Sequence, residues 1–125
     1  MLISPDWVLL VLGRILLGGL FVYGGVHHVF IMAPLTAAIS ARGVPAPRLV
    51  LIAGSAFQTI AGALFTLDVY VAACAFGLIA FTIIASIMLL NFWDMEGQMR
   101  ATAKTMWQTN LAIIGGLLIA AAYAL

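Results

Sequence analysis

Of the side chains that can hydrogen-bond or exchange protons from within, or at the edge of, long apolar runs, seven are singled out as site candidates: Arg14, His27, His28, Gln58, Asn91, Trp93 and Asn110. A charged group at the centre of a bilayer costs about 3 kcal/mol on insertion scales, so Arg14 requires a partner, water or a route to the surface. It lies about 10 Å below the nearer boundary of its run, counted at 1.5 Å per helical residue. Two arrangements are open to it. The guanidinium can snorkel outward towards Asp68 or the Asp6 region, or turn inward towards Gln58 on a neighbouring helix.

The histidines close the same run. Adjacent helical residues point about 100° apart, so one imidazole at most can face a bundle axis squarely. No carboxylate stands near in sequence and the i, i+4 spacing of a metal pair is missing, so no metal site is expected. The choice is between interfacial imidazoles and one ligand-binding or proton-exchanging histidine, for which an imidazole titrating near neutrality is suited. Asn91, Gln108 and Asn110 fall at the same depth, with Trp93 beside them, so a polar layer with His27 and His28 is expected there. Helix capping is the competing use for such amides. The single cysteine, Cys74, excludes an internal disulfide and a CxxC pair, and reads as a small packing residue.

The elements that must position these groups are four apolar stretches, approximately 7–30, 49–67, 70–92 and 106–125, within one domain spanning 1–125. A spanning helix needs about 20 apolar residues to cross about 30 Å of hydrocarbon. With 66% hydrophobic and 7% charged residues, no separate soluble domain fits. The expected fold is therefore an all-α integral membrane protein, an up-down antiparallel four-transmembrane-helix bundle. A net charge of +1 offers nothing to nucleic acid, and the lipid bilayer is the first partner. The first stretch lacks a basic leader and exceeds a signal peptide's apolar core, so it is read as a retained span.

Between the first two spans, Pro34, Gly43, Pro45 and Pro47 frame Leu35–Arg42, a candidate interfacial helix with Leu35 and Ile39 towards lipid. Asp68 and Val69 form a bare turn, and 93–105 reads as a polar connection that Gly97 could break. Arg42, Arg48, Arg100 and Lys104 all lie in the first and third connections. By the positive-inside rule those connections are cytoplasmic and the termini lie outside. Small residues supply the expected packing seams: Gly18 and Gly25 on the first span, Gly54 and Gly62 flanking Gln58 on the second, Gly115 and Gly116 on the fourth.

Arg14-Ile-Leu-Leu-Gly18 followed by Gly24-Gly25-Val-His27-His28-Val-Phe30 resembles the opening helix of the DoxX family. Gly43-Val-Pro45, Asn91-Phe92-Trp93-Asp94 and Asn110-Leu-Ala-Ile-Ile-Gly115-Gly116 resemble later family segments, in the same order. The resemblance implies a four-helix protein of the bacterial cytoplasmic membrane, linked to quinone or thiol redox chemistry and to partner proteins. It also implies a glutamate where this chain has Gln58, and a lysine before the fourth-helix asparagine where it has Thr109. Both departures remove charge from the interior.

Three functional classes follow. The first is a redox-associated membrane subunit holding a quinone or similar apolar ligand between its helices, although no motif for an electron-carrying cofactor is evident. The second is a non-catalytic accessory subunit that packs on other membrane proteins or on a further copy of itself. A small transporter or channel ranks third, because the first span contains Arg14 and no acid. No catalytic residue set identifies a reaction.

Overall fold

The computed structural model describes residues 5–125; residues 1–4, which precede the first apolar stretch weighed as a signal peptide, lie outside the described part. Five α-helices and two short 3-10 turns make up the chain, and no strand occurs among the described residues. Helix α1 covers Pro5–His27, α2 Met32–Ala41, α3 Pro47–Thr66, α4 Val71–Leu89 and α5 Gly97–Ala124. The four apolar stretches containing α1, α3, α4 and α5 are long and apolar enough to cross a membrane. In hydrocarbon, a helix is the one local structure that satisfies every backbone N–H and C=O within its own segment.

Successive long helices run antiparallel. Residue pairs 14–66 and 21–58, with 28–55 just past the end of α1, join α1 to α3 in opposite directions, and pairs 86–110 and, just past the end of α4, 90–107 join α4 to α5 likewise. A four-residue link, 67–70, turns α3 into α4. The start of α1, this link and the end of α5 share one end of the bundle, the turn end. The opposite, basic end carries α2 and the link from α4 to α5. The buried core is formed by Phe21, Ala61, Phe65, Cys74, Ala75, Leu78, Leu117 and Ala121. Large apolar side chains elsewhere face outward, among them Leu16 at 74% and Phe30 at 78% exposure. An outward apolar surface of this kind is what a lipid-facing bundle presents.

Two boundaries differ from the hydropathy reading. Helix α5 begins at Gly97, not near residue 106. Its 28 residues make a rod about 42 Å long, roughly 12 Å more than the hydrocarbon needs. Hydropathy marked the membrane edge, whereas the helix continues through Arg100 and Lys104 into the aqueous layer, with Ala103 buried beneath it. Gly97 starts this helix in a left-handed conformation and does not break it. Helix α2 does form in the first connection, but it begins at Met32 with Pro34 in its first turn and ends at Ala41, and Ile39 is 2% exposed and packs inward. The helix lies across the basic end against α3 and α4, so the side read as lipid-facing is a protein contact.

Candidate functional site

Glycine determines how closely α1 and α3 approach. A Cβ on Gly18 would collide with Thr66 Oγ1 and stand 2.6 Å from the Gly62 carbonyl; one on Gly25 would collide with Thr59 Oγ1. A Cβ on Gly62 would lie 2.9 Å from the Gly18 carbonyl oxygen. Gly54 does not share this seam, since its open side faces Phe81 on α4. Eight helical residues advance the direction by about 80°, enough to turn Gly54 and Gly62 to different neighbours. On α5, Gly116 faces Leu17 of α1 while nothing approaches Gly115.

Within the α1–α3 seam, Gln58 is 7% exposed. Its Nε2 donates to the Phe21 carbonyl at 3.0 Å, and Gly24 leaves the room it occupies. Its Oε1 is buried without a hydrogen-bond partner among the described residues. One helical turn further, His28 Nδ1 and Ser55 Oγ are 2.8 Å apart. His27 points elsewhere, stacked on Tyr23 with ring centroids 5.8 Å apart and exposed to the surroundings.

At the basic end, Asn110 Nδ2 donates to Ser86 Oγ at 2.9 Å, and Ser86 in turn donates to the Thr82 carbonyl. Trp107 Nε1 donates to the Leu90 carbonyl at 2.7 Å, and Arg42 Nε to the Met88 carbonyl at 2.8 Å. The Arg42 bond satisfies a carbonyl that the C-terminus of α4 leaves without an intrahelical donor, whereas the Leu90 carbonyl, just past that helix, also accepts from the Phe92 N–H at 2.8 Å. Asn91 is half-buried beyond that terminus, and Trp93 is exposed with its ring edge-on to Phe92. The expected polar layer is thus divided. His28–Ser55 and Asn110–Ser86 are separate pairs, and no hydrogen bond joins them among the described residues.

Arg14 goes to the turn end. Its Nη1 lies 4.0 Å from an Asp68 carboxylate oxygen, and Gln58 is occupied elsewhere. The Arg14 side chain is 15% exposed, and its Nε is buried with no acceptor among the described residues. A buried donor left unsatisfied costs about 1–3 kcal/mol. Arg14 sits in the wall of an open cleft of about 810 Å³ between α1, the start of α4 and the end of α5. Asp6, Trp7, Asp68, Tyr70 and Tyr123 supply the rest of its polar and aromatic lining. Asp68 and Tyr70 both hold left-handed backbone conformations in the α3–α4 link. Such conformations cost L-residues of this size about 1–3 kcal/mol each and accumulate at functional sites. The link therefore places a carboxylate and a phenol on the cleft at a conformational cost.

Residues 9–93 match the DoxX family model, over two thirds of the sequence. The chain belongs to the DoxX family. The match takes in α1 to α4 and ends before α5, so the Asn110–Gly116 segment lies outside the matched residues. No curated protein and no solved structure matches this DoxX-family chain. Tyr70, Tyr123, Ser55 and Ser86 were not singled out from sequence. A tyrosine near a span end reads as an interfacial anchor, and a lone serine in an apolar helix reads as packing. Among the described residues, no three His, Cys, Asp or Glu side chains converge to hold a metal ion.

Proposed function

We propose that this multi-pass DoxX-family protein is a redox-associated membrane subunit whose turn-end cleft holds a quinone-type ligand. The observation carrying this reading is the Arg14 guanidinium in the wall of the cleft, its Nη1 held 4.0 Å from Asp68. A quinone presents a carbonyl oxygen to such a donor and a flat ring to aromatic side chains. Arg14 would bind and orient the oxygen, held in place by Asp68, while Trp7, Tyr70 and Tyr123 would flank the ring. The quinone, when bound, supplies the two-electron chemistry; the chain supplies position and a fixed positive charge. By the positive-inside rule the cleft opens on the outer side of the bacterial cytoplasmic membrane.

The test is quenching of tryptophan fluorescence by a short-chain ubiquinone in the detergent-solubilised protein, with Trp7→Phe to assign the signal. Saturable quenching at Trp7 is expected, with affinity at least about tenfold weaker in Arg14→Leu than in wild type. Undiminished affinity in Arg14→Leu refutes the reading.

A second reading is favoured by a different observation. Helices α1 and α5 touch only sparsely, so the bundle is open along one side where a partner helix could pack. An accessory subunit would use that opening for protein contact. It predicts a stable larger complex after mild extraction and no quinone-dependent quenching.

A further inference from the structure

The basic end has a second concavity, a groove of about 520 Å³ between α2 and the start of α3. Thr36, Ser40 and Arg48 line its polar part, and Met32, Ala37 and Pro47 its apolar part. Two observations set these polar groups apart. Of the basic side chains at this end, Arg42 is committed to the Met88 carbonyl and Asp94, and Lys104 lies over the Phe92 ring. Arg48 and Arg100, by contrast, are exposed and have no ion pair or side-chain hydrogen bond to any described residue, and of the two it is Arg48 that lines the groove. The hydroxyls are the second. Thr59, Thr66, Thr82, Ser86, Thr105 and Thr109 each return theirs to the carbonyl four residues earlier. Thr36 and Ser40 stand in a helix with the same opportunity, one turn apart, and make no such bond.

An unpaired guanidinium and two unspent hydroxyls thus share one groove whose remaining wall is apolar. The groove lies where α1 ends and α3 begins, at the level where a spanning helix passes from hydrocarbon to headgroups. We propose that it binds the phosphate of an anionic phospholipid, with Arg48 as counter-charge and Thr36 and Ser40 as hydroxyl donors. The glycerol and first acyl carbons would lie on Met32, Ala37 and Pro47. Charge complementarity selects the occupant. A membrane leaflet is the one source that presents a phosphate and an apolar chain together at this height. The inference does not depend on the quinone reading, because it concerns the opposite end of the bundle.

Native mass spectrometry of the detergent-solubilised full chain tests it, with phosphatidylglycerol or phosphatidylcholine added and monodispersity checked for every variant. Wild type is expected to retain phosphatidylglycerol over phosphatidylcholine. Arg48→Gln should weaken phosphatidylglycerol retention about five- to tenfold, from the loss of one interfacial charge contact. The uncharged double change Thr36→Val with Ser40→Ala should weaken it by about threefold or more. Arg100→Gln, which removes an exposed basic side chain outside the groove, should leave it unchanged. Equal losses for Arg48→Gln and Arg100→Gln would show general attraction to a basic surface and overturn the site. So would full displacement of the lipid by millimolar inorganic phosphate, which would make the acyl contact irrelevant.

Discussion

Against α3, helix α1 presents Gly18, Phe21 and Gly25, with His28 in the turn just beyond it, and the backbones are close enough that a single methyl group collides. Towards α5 the same helix presents Arg14 and Leu17, and the two helices separate into a cleft of about 810 Å³. Polar groups behave differently on the two sides. Gln58 spends its donor on the Phe21 carbonyl and His28 pairs with Ser55, both inside the seam. Arg14 instead lines open space and turns its guanidinium to Asp68. A membrane bundle gains no hydrophobic attraction between its helices, so stability comes from the side where small residues allow dense contact. The loosely packed side is left for a ligand or a partner.

Breaking the closed side should have the largest effect. Gly18→Leu drives a branched side chain into Thr66 and the Gly62 carbonyl, and should cost about 3 kcal/mol or more. Gly13→Ala, with nothing near its Cβ position, should change stability by no more than about 1 kcal/mol, in the stabilising direction. Reversible unfolding in mixed detergent reads both. Similar destabilisation by the two changes would mean that the seam is not what holds α1.

Gln58→Glu separates the two sides of α1 more finely. If Arg14 and residue 58 met, the new carboxylate would gain a counter-ion and the variant would be tolerated. In this structure it instead loses the donor to the Phe21 carbonyl and sets an acidic oxygen against it. The expected loss is about 2–3 kcal/mol by the same unfolding assay. Wild-type stability would return Arg14 to the interior.

Arg14 itself should matter for binding more than for folding. Arg14→Leu removes an unsatisfied buried donor and an ion pair whose acid, Asp68, is 68% exposed, so stability should change by under about 1 kcal/mol. The tenfold loss of quinone affinity would then report the cleft alone. A collapse of stability would make Arg14 part of the scaffold.

The histidines differ from each other on the same closed side. His28→Ala loses the Ser55 contact and should cost about 1 kcal/mol, while His27→Ala, which loses only an exposed stack on Tyr23, should cost less than half of that. The reverse order, measured by thermal unfolding, would place His27 in the seam.

Much of this was legible before any coordinates. Partitioning into hydrocarbon acts residue by residue, so the apolar runs around Arg14, Gln58, Cys74 and Asn110 marked four helices without knowledge of their partners. Periodicity placed Gly18, Gly25 and His28 on one face of α1, because i, i+3 and i, i+4 neighbours share a face in any helix. What each face met was not legible. Helix α4 is apolar on every side between Val71 and Leu89, so no hydrophobic stripe announced that Ser86 would receive Asn110. Helix rotation and lateral placement settled the remainder: Asp68 over Gln58 as the partner of Arg14, Ile39 inward, and Tyr70 and Tyr123 on one cleft. Those choices depend on pairwise packing between segments far apart in the chain. Packing in lipid is decided by shape and hydrogen bonding at each contact, and neither is written in the hydropathy of a single helix.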